Sequence, residues 1–291
     1  METYKKITDA GSLWGGLYEP FQRKSNPGKG LRTAIFGSTN AGALVVASLL
    51  RFEQKYPHLL NLVGVATDDP VDRNTRISVH KRIWKYYNPD EMSILRDRVV
   101  NASTNAGVPC YTGGMKTDYF RTIFTDWNPE IIIMCCFGQK IDAFIYNYPP
   151  FGMYNFHPSD LAANIGAGPQ PFNSTIKNGK KTSIMVVHQV TEIIDRGPII
   201  GNSPAVNICT ATGDYPKSIL SLQEKIPSVC GWLSIELILE AIEKKQSGQK
   251  EIISSIDFNA RIPDFIRQKL LEPATDDLTE TYSLPLHDKI K

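Results

Sequence analysis

The pattern of apolar and polar positions along the chain predicts an α/β fold. Thr33-Ala34-Ile35-Phe36 is a compact apolar run that reads as a buried strand, and Gly37-Ser38-Thr39-Asn40-Ala41-Gly42 reads as the turn after it. Residues 43–54 carry a helical pattern, and residues 62–66 form a second apolar run. Strand, glycine turn, helix, strand is how a parallel sheet begins.

Further along, the pattern predicts helices near 76–87 and 90–106, a short strand at 108–111, and a helix over 116–127 stopped by Asn128-Pro129. Residues 130–136 are the most apolar run in the chain and read as a central strand buried on both faces. Phe137-Gly138-Gln139-Lys140 ends it, and a short helix follows from Ile141 to Tyr146. Strands are expected at 152–157, 183–190 and 198–208. A long amphipathic helix is expected over 215–245, with Pro227 as the place where it can break. Residues 1–30 show no sustained period and read as an N-terminal arm, 31–248 as the main domain, and 249–291 as a C-terminal extension with a strand or loop, a small helix and a mobile end.

Composition narrows the class. The chain is 42% hydrophobic and 21% charged, ordinary for a globular protein. No apolar run reaches the roughly 18 residues a membrane span needs, and the opening METYKKITDAGSLWGG lacks the apolar stretch of a secretory signal. Five cysteines (Cys110, Cys135, Cys136, Cys209, Cys230) are odd in number and show no CxxC, which disfavours a disulfide framework or a metal site and fits a reducing cytoplasm. A net charge of +2 argues weakly against nucleic acid. Arg73, Arg76, Lys81, Arg82 and Lys85 make a local basic cluster, either a solvated helix face or a guide for an anionic ligand.

Two stretches carry chemistry. Asn155 and His157 stand two residues apart on an expected strand, so both project from one face, and Pro158 should end the strand there. An amide and an imidazole thus meet at a strand end, where open α/β sheets bind ligands. Asp195 lies in a loop between two apolar runs, ahead of Gly197-Pro198, from which its carboxylate could reach the same place. The Gly37, Ser38, Thr39, Asn40 turn offers backbone N–H groups at a helix start, a spot suited to an anion such as phosphate. It departs from GxGxxG and lacks the lysine of a P-loop, so a bare tight turn is the alternative. Taken singly, His157, Asn155 and Asp195 would each read as ordinary hydrogen-bonding, turn or capping residues. His188 sits within a strand and reads as structural, and the cysteines of the buried run as packing.

In combination, NFHPSDL (155–161), PFNSTIKNG (171–179) and VHQVTEIIDRGPII (187–200) resemble the folate-dependent formyltransferase family, in the family's order and nearly its spacing, over about residues 32–245. The resemblance implies a Rossmann-like, mostly parallel sheet flanked by helices, with 31–248 as the catalytic domain. It implies 10-formyltetrahydrofolate as one-carbon donor and Asn155, His157 and Asp195 as the catalytic group, with His157 protonated beside Asp195. Phe137, Gly138, Gln139, Lys140 and Ile141, with Thr191 and Ile194 opposite, would line the pocket for the folate's pterin, and Ser159 would join the 37–40 turn on the acceptor side. The implied partners are a reduced folate and a small amine, phosphorylated or nucleotide-linked, of amino-sugar or glycinamide ribonucleotide type. A homodimer is compatible with this, and neither nucleic acid nor membrane is expected.

The chain departs from the family after HPS. Where many members carry a basic segment, it reads Leu161-Ala162-Ala163-Asn164-Ile165-Gly166-Ala167-Gly168, uncharged and longer, which points to an unusual acceptor. Only about 45 residues follow Lys245, which disfavours a tRNA substrate, and about 30 precede Thr33, too few for the regulatory domain of the related hydrolases. A hydrolase that passes the formyl group to water, and a folate- or nucleotide-binding protein without catalysis, are the alternatives.

Overall fold

A computed structural model describes residues 3–8, 15–24, 29–71, 87–168, 171–275 and 284. Residues 76–86 of the expected helix at 76–87 and the basic cluster of Arg73, Arg76, Lys81, Arg82 and Lys85 lie outside the described residues.

The chain opens with strands β1 (Tyr4–Thr8) and β2 (Gly15–Pro20), then β3 (Leu31–Gly37), helix α1 (Thr39–Lys55), and β4 (Leu60–Thr67). Helices α2 (Pro89–Leu95) and α3 (Arg98–Thr104), strand β5 (Cys110–Gly113), helix α4 (Asp118–Trp127) and strand β6 (Ile131–Cys135) follow. Then come α5 (Ala143–Tyr146), β7 (Met153–His157), α6 (Pro171–Lys177), β8 (Thr182–Ser183), β9 (Val186–Gln189), β10 (Ile199–Asn202) and β11 (Val206–Asn207). Helices α7 (Ile219–Lys225), α8 (Cys230–Gln246), α9 (Phe258–Arg261) and α10 (Asp264–Leu271) close it.

Nine strands form one sheet in the order β1-β2-β5-β4-β3-β6-β7-β9-β10, and β8 and β11 form a separate pair. The five strands β5-β4-β3-β6-β7 are mutually parallel, while the outer strands on both sides run antiparallel. The chain builds outward from β3 through β4 to β5, then returns to the other side of β3 for β6 and β7. The strand order therefore reverses between β3 and β6, which opens a crevice at their carboxyl ends, next to the end of β7.

Strand β6 reads IIIMC with every position buried, as a strand covered by helices on both faces should be. Helix α1 starts at Thr39, earlier than the expected residue 43, so most of the anticipated turn is its first turn. Gly42 permits this: a Cβ there would lie 2.6 Å from the carbonyl carbon of Gly37, so only a glycine lets the helix start sit on the strand end.

The expected helix over 90–106 is two, because Asp97 sits at φ −105°, ψ 0° between α2 and α3. The expected helix over 215–245 is also divided: α7, a 3₁₀ turn at Ile226–Val229 that contains Pro227, and α8.

Two terminal expectations change. The residues read as an arm supply β1 and β2, and β2 pairs with β5 at the edge of the sheet. Tyr4 and Tyr18 meet edge to face at 5.1 Å there. The C-terminal extension joins the core: Ile253, Phe258, Ile262, Ile266 and Leu270 are buried in the cluster that holds Ile35, Val45 and Leu237. Tyr154 of β7 ties it down, its hydroxyl accepting from Ile253 N–H at 2.6 Å and donating to the Phe151 carbonyl at 2.8 Å. The alternation in 252–270 is too irregular to announce this packing from sequence.

Candidate functional site

The site grows from the end of β7. Parity places Asn155 and His157 on one face, and both are buried. His157 Nε2 lies 2.7 Å from the Gly166 carbonyl, which can only accept, so Nε2 carries the proton. Gly166 has φ +73°, and a Cβ there would come within 2.7 Å of the Ser159 side chain, so the carbonyl's position depends on this glycine.

Asp195 arrives from the loop between β9 and β10 in a left-handed conformation, φ +54°. Its Oδ1 accepts from Asn155 Nδ2 at 3.3 Å and stands 3.7 Å from His157 Nδ1 and 3.7 Å from His188 Nε2. Its Oδ2 accepts from Gly168 N–H at 2.8 Å. One carboxylate thus gathers an amide and two imidazoles from two neighbouring strands.

His188, read as structural from sequence, belongs to this cluster. It is paired with Asn155 across β7 and β9, so the two project from the same face. Its Nδ1–H donates to the Gln189 carbonyl at 3.0 Å, which leaves Nε2 to accept from Asn155 Nδ2 at 3.1 Å. The antiparallel register of β9 on β7 was the missing signal, and one sequence does not display it.

The electrostatics refine the expected charge state. Burial pushes the His157 pKa down, and this outweighs the upward pull of Asp195 and of the Gly166 carbonyl, so the imidazole is neutral at neutral pH rather than protonated. Burial also pushes Asp195 up, but the neighbouring His188 and His157 rings and the Gly168 N–H together bring it below the usual carboxylate range. Asp195 is therefore ionised and faces an unprotonated His157 Nδ1.

This cluster forms one wall of a cleft of about 1070 Å³, its open mouth included. All seven residues expected around the donor line it: Phe137, Gly138, Gln139, Lys140 and Ile141 on one side, Thr191 and Ile194 on the other. Met134 and Val190 give it an apolar floor, and Ile193 and Ile194 are exposed at the rim. Two polar groups of this wall are committed elsewhere: Gly138 N–H donates to Asp68 Oδ2 at 2.7 Å, and the Gln139 side-chain amide donates to the Gly113 carbonyl at 2.8 Å.

The five residues expected on the acceptor side lie outside the cleft lining, and all are buried. The Ser38 hydroxyl donates to Asp68, Thr39 N–H donates to Asp69 Oδ1 at 2.8 Å, and the Asn40 amide donates to Glu224 at 2.6 Å. Ser159 has a buried hydroxyl without a hydrogen-bond partner among the described residues. Thr39 (φ +59°) and Cys136 (φ +47°) hold left-handed conformations at the strand ends, costly for a β-branched residue. Both side chains point at Gln223 Oε1, Thr39 Oγ1 at 3.4 Å and Cys136 Sγ at 3.8 Å. Gln223 and Cys136 reach the cleft, and neither was foreseen. Burial pushes the Cys136 thiol up to about 12, which makes it a poor nucleophile.

Comparison with known proteins finds formyltransferases, by sequence and by fold. Residues 116–219, which hold all of Asn155, His157, His188 and Asp195, match the family model described as formyl transferase. A methionyl-tRNA formyltransferase of Kosmotoga olearia is 34% identical over 150 residues, 48% of this chain and 47% of the relative. One from Thermotoga neapolitana is 28% identical over 122 residues, 42% of this chain and 35% of the relative. One from Rickettsia bellii is 26% identical over 171 residues, 57% of this chain and 52% of the relative. The chain thus spans about a third to a half of the length of these curated relatives.

Among solved structures, a glycinamide ribonucleotide transformylase of Symbiobacterium toebii superposes with a TM-score of 0.52 at 16% identity, over 76% of this chain and 92% of that one. A phosphoribosylglycinamide formyltransferase of Bacillus halodurans gives 0.51 at 17% identity, over 73% and 96%. These likenesses show the shared fold. Residues 116–219 thus match the formyl transferase family, and the chain as a whole is similar to formyltransferases in fold.

Proposed function

We propose that this chain transfers a formyl group from 10-formyltetrahydrofolate to the amine of a small acceptor, with Asn155, His157 and Asp195 as its catalytic group. The single observation that carries this reading is Asp195 Oδ1, which stands within 3.7 Å of Asn155, His157 and His188 at the wall of the cleft.

The cleft suits a reduced folate. Met134, Ile141 and Val190 offer apolar cover for a flat ring, and the backbone of 137–141 and of the 191–195 loop offers polar edges. When bound, the donor supplies an activated formyl carbonyl. The amine nitrogen bonds to that carbon, the carbon–nitrogen bond to the folate breaks, one proton must leave the amine, and one must reach the departing folate nitrogen. His157 Nδ1, unprotonated and facing the cleft wall, accepts the amine's proton, and the resulting imidazolium is held by Asp195. The same imidazolium then returns the proton to the departing nitrogen. The Asn155 amide donates to the formyl oxygen as negative charge gathers there, a contact typically worth about 3 kcal/mol. Before the donor binds, both Nδ2 hydrogens are taken, by His188 at 3.1 Å and Asp195 at 3.3 Å, so this contact exchanges the longer bond, to Asp195, for the formyl oxygen while His188 keeps the amide oriented.

The acceptor classes expected from sequence, amino sugars and glycinamide ribonucleotide, are the first to test. An aminoacyl-tRNA belongs in the same panel, because the curated relatives are named methionyl-tRNA formyltransferases. The experiment supplies 10-formyltetrahydrofolate with each amine and follows tetrahydrofolate release. Release that requires an amine supports the transferase. Formate release at the same rate without any amine makes the protein a hydrolase, and no release with any acceptor contradicts both.

A further inference from the structure

The start of α1 is where a strand–turn–helix unit ordinarily receives an anion, through backbone N–H groups and the positive end of the helix dipole. Here the protein fills that place with its own carboxyl group. Strand β4 lies beside β3, so Asp68 and Asp69, just past the end of β4, stand next to the start of α1. Thr39 N–H donates to Asp69 Oδ1 at 2.8 Å, and Asp69 is fully buried. Its other oxygen, Oδ2, is buried with no hydrogen-bond partner among the described residues.

The surrounding donors are also taken. The Ser38 hydroxyl donates to Asp68, and Gly138 N–H donates to Asp68 Oδ2 at 2.7 Å. The Asn40 amide donates to Glu224 Oε2 at 2.6 Å. Arg98, which reaches this point from α3, is spent on Asn40 Oδ1 at 2.7 Å and Glu224 Oε1 at 3.0 Å.

We infer that Asp69 bars phosphate-bearing acceptors from the N-terminus of α1, so that the amine formylated by this chain carries no phosphate at that end. The inference rests on the proposed formyl transfer. A phosphate, with about −1.5 to −2 charges at neutral pH, would have to displace a buried carboxyl group, take over its Thr39 N–H, and sit beside Asp68 and Glu224. Protonation of Asp69 does not open the place: Oδ2 then carries the proton, Oδ1 still accepts from Thr39, and the volume remains filled. Within the expected acceptors this sorts glycinamide ribonucleotide, if its phosphate must lie at α1, below amines that are neutral or cationic there.

The test uses inorganic phosphate, so its outcome is independent of catalysis. Backbone amide shifts of Thr39 and Asn40 are followed while phosphate is added to the full chain and to Asp69→Ala and Asp69→Asn. Wild type should show no saturating shift. Asp69→Ala, with the place empty, should bind phosphate at least about tenfold more tightly than wild type, the scale of one anion contact at a helix start. Asp69→Asn, still filling the volume, should gain less than Asp69→Ala. Saturating shifts at Thr39 in wild type would overturn the inference. So would a folded Asp69→Ala that binds no better than wild type. If Asp69→Ala does not fold, the wild-type titration and Asp69→Asn decide alone, since strong binding in either contradicts the assignment.

Discussion

His157 Nδ1 and Asp195 Oδ1 face each other across 3.7 Å, with His157 Nε2–H held by the Gly166 carbonyl on the other side of the ring. The distance is long for a hydrogen bond, and the ring is neutral because burial outweighs the nearby carboxylate. The pair is therefore set to receive a proton at Nδ1, and gaining that proton would strengthen the contact.

This arrangement predicts the acid limb of the rate. The His157 pKa lies below its ordinary 6.5, so kcat/KM for formyl transfer should fall only as pH drops below about 6.5. The limb should vanish in His157→Gln, which does not titrate there. A limb centred above pH 7, or one unchanged in the variant, would assign it to another group.

Asp195→Asn should lower kcat by about 10²–10⁴-fold, because it removes the charge that holds the protonated imidazole. Circular dichroism and thermal midpoint at pH 7 should stay near wild type, since the side chain retains an oxygen for Gly168 N–H. Turnover within about threefold of wild type would remove Asp195 from the chemistry.

Asp68 predicts how stability depends on pH. Burial, partly offset by the bonds from Ser38 and Gly138, raises its pKa to about 6 from 3.8. Between those values the folded state binds more protons than the unfolded one, so stability falls as pH rises through that window and the loss is complete above about pH 6. The span corresponds to about 3 kcal/mol for this fully buried group. Urea titrations should show the stability difference between wild type and Asp68→Asn changing between about pH 4 and 6 and level above it. A difference independent of pH would mean that Asp68 titrates normally.

The C-terminal segment should matter for stability and not for chemistry. Ile266 of α10 is fully buried against the main core, so Ile266→Ala should cost about 2–5 kcal/mol by urea unfolding. Activity per folded molecule should be unchanged. A loss below about 0.5 kcal/mol would show that the segment does not pack as described.

Strands β3 and β6 are legible as compact apolar runs, and the side-chain parity of Asn155 and His157 on β7 follows from strand geometry alone. What escaped depends on contacts between distant segments. His188 joins the cluster only through the register of β9 on β7, and Asp69 reaches α1 only because β4 lies beside β3. From its own small, uncharged residues the glycine turn reads equally as an anion site or as a bare tight turn. The carboxyl group that fills it comes from 30 residues further along. The neutral state of His157 likewise follows from its burial, which residue identity does not reveal.

The most direct test of the central claim is the mass of the acceptor after reaction. Wild type and Asp195→Asn are incubated with 10-formyltetrahydrofolate and the best amine of the panel, and the amine is weighed by mass spectrometry. The account predicts an added formyl group with wild type and about a hundredth of that yield or less with Asp195→Asn in the same time. Equal yields from the two proteins, or an unmodified amine with wild type while folate is consumed, would contradict it.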